Sequence, residues 1–273
     1  MKSAEMNLMD QTFAQLRKEG KAALMPFITV GDPDVETTLE ILREVELAGA
    51  NIVELGVPYS DPLADGPVIQ RASERALTHH VTIETCIEVA RLARDSGIQM
   101  PIVLFTYFNP VLQTGFERFF QLVQKAGISG LIIPDLPYEE SEEILHLADE
   151  ANVHLVPLVA PTSNERIHRI VSRARGFIYC VSSLGVTGER ASFAQGVDDF
   201  IKTVKEGTDL PVAVGFGISS REQAQHFAEF CDGVVVGSAI VRKIEEALPL
   251  LQSEATKEQG LLQIRDFVAK LRV

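Results

Sequence analysis

Two carboxylates in one short stretch of the chain could carry out acid/base chemistry. Glu54 lies in the apolar segment Asn51–Leu55, and Asp65 follows eleven residues later in a loop that contains three prolines. A carboxylate on the buried face of a strand loses its water, so its pKa shifts or it requires a partner. Two carboxylates in different surroundings can supply one proton donor and one acceptor. The sequence also allows structural roles, namely a salt bridge for Glu54 and a helix cap for Asp65.

The segment around Glu54 is predicted to be a β-strand because it is aliphatic and rich in β-branched side chains. Alternation places Val53 and Leu55 on one face of this strand, and Ile52 and Glu54 on the other. Glu54 is then the last inward-facing residue before the loop begins.

The rest of the chain repeats a strand followed by a helix. Eight parallel strands at this length predict a single domain over residues 1–273, a (β/α)8 TIM barrel with an extra N-terminal helix over Asn7–Glu19. A doubly wound open sheet is the alternative, because periodicity does not prove that a sheet closes. The predicted strands are Ala23–Val30, Asn51–Val57, Pro101–Tyr107, Gly130–Pro134, His154–Val159, Phe177–Val181, Pro211–Gly215 and Gly233–Gly237.

Composition narrows the class of protein. The 273 residues include 25 basic and 38 acidic side chains, and the net charge of −13 disfavours nucleic acid and anionic membranes as partners. Three widely spaced cysteines fit neither a disulfide framework nor a metal site, and no apolar run reaches the ~18 residues of a membrane span. We therefore expect a cytoplasmic protein. No histidine cluster has metal-ligand spacing and no lysine ends a predicted strand, so we expect neither a metal nor a Schiff base.

Glycine-bearing loops follow three successive predicted strands, at Ser182–Gly188, Gly215–Ser219 and Gly237–Ser238. In a TIM barrel the active site lies at the C-terminal ends of the strands, and phosphate often binds after strands seven and eight. Glycine lets backbone N–H groups approach an anion, and a helix N-terminus favours negative charge. The three loops predict a phosphate-bearing ligand, although a single glycine more often only turns the chain.

Aromatic residues are predicted at the same rim. Core packing explains any one of Phe27, Phe105, Phe216 and Tyr179, but together they indicate a flat apolar substrate part opposite the phosphate. Because neither a metal site nor a Schiff-base lysine is expected, the chemistry that remains is proton transfer. Its candidate groups are the carboxylates of Glu54, Asp65 and Asp135 and the phenols of Tyr107 and Tyr179.

Seven motifs resemble the tryptophan synthase alpha chain family and occur in the same order over nearly the whole chain. The motif Val53–Pro67 is highly specific, whereas the motifs around Gly217 and Gly237 also occur in other phosphate-binding barrels. The resemblance implies retro-aldol cleavage of indole-3-glycerol phosphate to indole and glyceraldehyde 3-phosphate in tryptophan biosynthesis. The motifs are Pro26–Pro33, Val53–Pro67, Tyr107–Pro110, Pro134–Pro137, Gly185–Gly188, Gly215–Ser219 and Gly237–Val241.

The resemblance also implies roles for individual residues. Glu54 matches the general acid/base group, and Asp65 matches the carboxylate that polarises the indole N–H. The expected substrate-binding residues are Phe27, Phe105 and Phe216 at the indole pocket, Tyr179 beside them, Thr187 on a lid, and Gly188, Gly217, Gly237 and Ser238 at the phosphate.

A partner protein is implied as well. Family members work with a beta subunit that carries pyridoxal phosphate, in an αββα heterotetramer, and the resemblance implies no cofactor in this chain. Two other hypotheses stay open on the sequence. One is another phosphosugar-binding barrel enzyme, such as an isomerase or epimerase, and the other is a non-catalytic barrel that activates a partner.

Overall fold

The computed structural model describes residues 6–163, 166–182 and 196–273, in which strands and helices alternate along the chain. The strands are β1 (Ala23–Thr29), β2 (Val53–Gly56), β3 (Ile102–Phe105), β4 (Gly130–Ile132), β5 (His154–Leu155), β6 (Leu158–Val159), β7 (Ile178–Val181), β8 (Val212–Gly215) and β9 (Gly233–Val236). The helices are α1 (Leu8–Glu19), α2 (Val35–Leu47), α3 (Pro67–Thr78), α4 (Ile83–Asp95), α5 (Phe108–Thr114), α6 (Phe116–Lys125), α7 (Glu142–Glu150), α8 (Ile167–Arg173), α9 (Val197–Glu206), α10 (Arg221–Ala228), α11 (Ser238–Leu251) and α12 (Lys257–Lys270).

The sheet closes into a barrel. Its strands run in the order β5-β4-β3-β2-β1-β9-β8-β7-β6, and the described pairs are parallel. The two edge strands, β5 and β6, are halves of one segment. Within it the N–H of Val156 donates to the carbonyl of Leu131, and the carbonyl of Pro157 accepts from the N–H of Tyr179. This segment therefore joins both edges, which confirms the TIM barrel and divides the fifth predicted strand in two.

Strand residues alternate between the barrel interior and the layer beneath the helices. Val53 and Leu55 of β2 belong to the large apolar cluster beneath the helices, whereas Ile52 belongs to the cluster inside the barrel. The predicted alternation is confirmed, and it turns Glu54 towards the interior. Because the strands are covered on both faces, they are apolar along nearly their whole length.

Helix α1 is the predicted extra helix, and it closes the floor of the barrel at the N-terminal ends of the strands. Met9 and Phe13 belong to the interior cluster, and the ring centroids of Phe13 and Phe177 lie 5.7 Å apart. Nε2 of His154 lies 2.8 Å from the Asp10 carboxylate. His154 is thus a structural residue at the bottom of the barrel.

Asn7 fixes the start of α1. Its Oδ1 accepts from the N–H of Met9 at 2.9 Å, and its Nδ2 donates to the carbonyls of Ser129 and Asn152 at 2.9 and 2.8 Å. We expect Asn7→Ala to lower the free energy of unfolding by about 2 kcal/mol, because a cap, one buried bond and one partly buried bond are lost. Urea unfolding measures this change. Gln11→Ala, which removes an exposed side-chain bond on the same helix, is the control, and an equal loss in both variants would contradict the expectation.

Three further features bear on the class of protein. No helix in the described ranges combines the length and the apolar character that crossing a bilayer requires. Cys86, Cys180 and Cys231 are buried and free, which confirms that they form no disulfide framework. Among the described residues, no three His, Cys, Asp or Glu side chains form a group that could hold a metal ion.

Candidate active site

Strand β2 places Glu54 inside the barrel, close to the C-terminal ends of the strands. Its register neighbours are Phe27 of β1 and Val103 of β3, which are both apolar. The residue is 1% exposed, and its Oε1 has no hydrogen-bond partner among the described residues. Burial raises the pKa of Glu54 to about 8. At neutral pH the group therefore holds a proton that it can donate.

An aromatic wall stands beside Glu54. The rings of Phe27 and Phe105 meet edge to face, with centroids 5.6 Å apart and an interplanar angle of 89°. Gly56 gives the Phe27 ring its space, because a Cβ at Gly56 would lie 2.3 Å from Cζ of Phe27. Two of the predicted aromatic residues therefore form one surface next to the carboxyl group.

Tyr179 of β7 faces the same interior. Burial, with a smaller contribution from the charge of Glu54, raises the pKa of Tyr179 well above its ordinary value. A Cβ at Gly215 of β8 would lie 2.5 Å from the Tyr179 hydroxyl, so glycine at this position makes room for the phenol. The structure thus brings Tyr179 and Glu54 together, with the phenol protonated.

Asp65 lies at the rim, in the loop between β2 and α3, and is 6% exposed. Burial raises the pKa of Asp65 to about 6, and a hydrogen bond from Tyr107 opposes this rise. The Tyr107 hydroxyl also accepts from the N–H of Ala64 at 2.9 Å, and the Tyr59 ring stacks on Tyr107 with centroids 4.9 Å apart. Tyr107 therefore holds both the backbone and the side chain of this loop. At neutral pH Asp65 is mainly ionised, unlike Glu54.

Two of the predicted glycine turns lie within the described residues. Gly217 follows β8 with a φ of +74°, a conformation that favours glycine. Gly237 precedes α11, whose first residue is Ser238. The first-turn N–H groups of such a helix attract an anion. A Cβ at Gly237 would meet only Phe27 within 4 Å among the described residues, so the space beside this turn is open.

Thr187 and Gly188 lie outside the described residues, so their predicted roles stay predictions. Phe216 is described, and its ring packs against the helical layer. It continues the alternation of Val212 and Val214 towards the helices, and its ring stacks on Phe227 of α10 with centroids 5.5 Å apart. Its part in substrate binding stays a prediction that this position does not support.

Thr29 was missed in the sequence. It is the next inward position after Phe27 on β1, and its buried hydroxyl has no hydrogen-bond partner in the described part of the chain. A buried hydroxyl without a partner at the mouth of a barrel is a candidate for contact with a ligand. The alternation that located Glu54 also locates Thr29. The candidate Asp135 instead accepts from the N–H of Phe108 at 2.9 Å and holds the start of α5.

Comparison with known proteins agrees with this geometry. The family model described as tryptophan synthase alpha chain matches residues 13–270. The chain is 51% identical over 257 residues to the tryptophan synthase alpha chain of Geobacillus sp. (strain WCH70), which covers 94% of this chain and 98% of that relative. It is 52% identical over 243 residues to that of Bacillus subtilis (strain 168), covering 89% and 91%.

Solved structures give the same result. Tryptophan synthase subunit alpha from Legionella pneumophila str. Paris superposes with a TM-score of 0.88 at 36% identity, covering 98% of this chain and 97% of that one. A Mycobacterium tuberculosis tryptophan synthase structure in space group F222 superposes with a TM-score of 0.87 at 36% identity and the same coverage. Together with the family model, these relatives show that the chain belongs to the tryptophan synthase alpha chain family.

Proposed function

We propose that this chain cleaves indole-3-glycerol phosphate to indole and glyceraldehyde 3-phosphate by a retro-aldol reaction, as the alpha subunit of a tryptophan synthase. The observation that carries the proposal is Glu54, a buried carboxyl group with one oxygen that has no partner among the described residues, next to the aromatic wall of Phe27 and Phe105. Cleavage requires a proton donor that faces a flat apolar ring, and this arrangement provides one.

In the proposed mechanism, Glu54 donates its proton to indole C3. As a carboxylate it then accepts the proton of the hydroxyl on the adjoining glycerol carbon, while the bond between that carbon and C3 breaks and an aldehyde forms. Asp65 accepts a hydrogen bond from the indole N–H and offsets the positive charge that develops on the ring. The pKa values of about 8 and about 6 support this division into acid and carboxylate.

The proposed substrate contacts rest on the same geometry for the described residues, and on the family resemblance for Thr187 and Gly188. Phe27, Phe105 and Tyr179 would border the indole ring. Gly217 and the turn at Gly237–Ser238 would bind the phosphate, together with Gly188. Thr187 would close over the site.

We further propose a beta subunit as the partner, in an αββα complex that holds pyridoxal phosphate in the beta subunit and no cofactor in this chain. Leu63 in the loop beside Asp65 is 72% exposed, and Leu112 of α5 is 51% exposed. Exposed apolar side chains next to the mouth support a protein partner at this rim. We also propose that residues 1–273 form one domain and that the protein is cytoplasmic.

An indole-release assay tests the proposed function. Purified chain is given indole-3-glycerol phosphate with and without its cognate beta subunit, and indole is followed spectroscopically. We expect indole in both reactions, with faster release in the presence of the beta subunit. No indole under either condition would contradict the proposed reaction, and an unchanged rate would contradict the partner.

The phosphate position is tested by Gly237→Ala. A Cβ at Gly237 would lie 3.7 Å from Cβ of Phe27, which is an ordinary contact, so the fold should tolerate the methyl group. We expect KM for indole-3-glycerol phosphate to rise about tenfold with little change in kcat, because the methyl group occupies space proposed for the phosphate. Steady-state kinetics measure both constants, and an unchanged KM would place the phosphate elsewhere. Gly207→Ala, at a glycine after α9 with a φ of −87° and only ordinary contacts around the added Cβ, controls for the substitution itself.

A further inference from the structure

Arg75 of α3 joins two elements that begin at the candidate active site. Its Nε and Nη2 donate to the two carboxylate oxygens of Asp32 at 2.7 and 2.8 Å, and its Nη1 donates to Glu245 of α11 at 2.8 Å. Asp32 lies in the loop after β1. One planar guanidinium group therefore binds this loop, α3 and α11 to each other, with the geometry that suits bidentate recognition of a carboxylate.

The ion pairs of Arg75 are partly buried. The side chain of Asp32 is 1% exposed and that of Glu245 is 24% exposed. Burial raises the pKa of Asp32 and Arg75 opposes this rise, whereas Arg71 and Arg75 lower the pKa of Glu245 to about 2. A carboxylate as buried as Asp32 requires a charged partner, which Arg75 supplies. The guanidinium group is therefore held in one place.

The two helices joined by Arg75 both begin at the mouth of the barrel. Helix α3 begins two residues after Asp65, and α11 begins directly after Gly237. With a rise of about 1.5 Å per residue, Arg75 and Glu245 lie about 12 and 10 Å from the first residues of their helices. The contact thus lies about two turns along each helix from its first residue, and through Asp32 it reaches the loop after β1.

An apolar cluster holds the same helices together nearer their first residues. Val68, Ile69 and Ala72 of α3 pack with Val241 of α11 and with Phe27. The two helices are therefore joined at two places along their length, by apolar packing behind Phe27 and by the ion pairs of Arg75 further from their first residues. Two contacts along their length restrain both the distance and the relative rotation of the helices.

We propose that Arg75, through Glu245, is a positioning residue that sets the distance between Asp65 at the start of α3 and the turn at Gly237–Ser238 at the start of α11. The inference rests on the proposed function, in which one substrate contacts both places. When the phosphate of the substrate binds at the turn, this distance decides whether its indole end meets Asp65 correctly. A ligand that reaches only the phosphate turn does not depend on it. Displacement of about 1 Å at a reacting group can cost about 10²-fold in rate.

Glu245→Ala tests the proposal, because it breaks the contact with α11 and leaves Asp32 paired with Arg75. We expect kcat/KM for indole-3-glycerol phosphate to fall at least about tenfold. The dissociation constant of glycerol 3-phosphate, which carries only the phosphate end, should stay within about twofold. Calorimetric titration measures this constant.

Arg71→Met is the matched control. Arg71, also on α3, donates to Glu245 at 2.8 and 2.7 Å, so it is a second contact between the two helices, but its side chain is 46% exposed and no described contact joins it to Asp32. Such exposed ion pairs contribute little to stability. We expect kcat/KM for indole-3-glycerol phosphate and the dissociation constant of glycerol 3-phosphate to stay within about twofold of wild type in this variant. A loss in Arg71→Met equal to that in Glu245→Ala would assign the positioning to Arg71 and overturn the proposal.

A second pair of variants separates positioning from stability. Arg75→Met leaves the buried Asp32 charge without its partner and should lower Tm. Adding Asp32→Asn removes that charge and should restore Tm, because an unpaired neutral amide costs less to bury than an unpaired carboxylate. The double variant still lacks the contact with Glu245, so its kcat/KM should stay low.

The outcomes distinguish the two proposals. Wild-type protein that releases no indole, with or without the beta subunit, overturns the proposed function and this inference with it. Wild-type turnover together with a Glu245→Ala variant of unchanged kcat/KM overturns the inference alone. Recovery of kcat/KM in the double variant, or an equal loss of glycerol 3-phosphate binding in Glu245→Ala, would assign these residues to stability or to phosphate affinity and also overturn it.

Discussion

Glu54→Gln is expected to lower kcat for indole release at least about 10²-fold, the effect typical of a lost general acid/base group. The amide has nearly the shape of the carboxyl group, so the aromatic wall and the phosphate turn should stay intact. It cannot donate a proton to indole C3 or accept one from the glycerol hydroxyl. Glycerol 3-phosphate should therefore bind as it does to the wild type. Steady-state assays and calorimetric titration measure the two effects.

Glu44→Gln is the matched control for this substitution. Glu44 is also a largely buried glutamate, with its side chain 17% exposed and paired with Arg265 at 3.3 Å, but it lies on α2 in the helical layer. Its activity should stay within about twofold of wild type. A Glu54→Gln variant that kept near-full activity would show that Glu54 is structural.

The same substitution is expected to stabilise the fold at neutral pH. The pKa of Glu54 is about 8 in the folded protein, against an ordinary value of 4.5 in the unfolded chain. Below pH 4.5 both states are protonated. Between pH 4.5 and 8 only the unfolded state releases its proton, so the stability of the wild type falls by about 1.4 kcal/mol per pH unit. The amide introduced by Glu54→Gln does not titrate, and the variant should gain about 3 kcal/mol at pH 7.

Urea unfolding of both proteins between pH 4.5 and 8 measures this gain. The difference between the two free energies of unfolding should be close to zero at the acid end and should grow as the pH rises. Other shifted carboxyl groups, such as Asp32 and Asp65, are present in both proteins and cancel in the comparison. A difference that is independent of pH would show that ionisation of Glu54 is not its cause.

The lower kcat and the higher stability expected of Glu54→Gln have one physical origin. A carboxyl group placed in an apolar interior keeps its proton near pH 7, which suits a proton donor, and for the same reason it lowers the stability of the folded chain. Loss of stability at a functional group is a common property of enzymes. Gain of stability together with loss of turnover in one variant would distinguish this cause from simple packing.

Local patterns explain which parts of the site could be predicted. Alternation along β2 located Glu54 on the interior face, because the period of a strand needs no knowledge of the partner strands. Phe216 was predicted among the aromatic residues of the rim, whereas its ring stacks on Phe227 of α10. Its neighbours Val212 and Val214 already give the correct direction.

Other parts of the site depend on contacts between distant segments. The bond from Tyr107 to Asp65 joins two loops, and neither loop carries a pattern that indicates the other. Asp32 and Arg75 are ordinary charged residues in the sequence, and only the folded chain shows that one of them is buried.

Some details of the fold also could not be predicted from local patterns. Helix α5 was missed because it has only seven residues and includes Pro110. Closure of the barrel depends on the segment around Pro157, which bonds to both edges of the sheet. Neither feature follows from hydrophobic periodicity, which reports the faces of an element and not its neighbours.

The helix at the floor of the barrel has a consequence for the proton donor. Met9 and Phe13 share the interior cluster with Tyr179, so a segment that precedes the eight repeats supplies part of the low dielectric beneath Glu54. A barrel without this helix would admit solvent from below, and the carboxyl group would ionise at a lower pH. The pKa of the proposed proton donor is therefore set in part by a helix that lies at the opposite end of the barrel from the candidate active site.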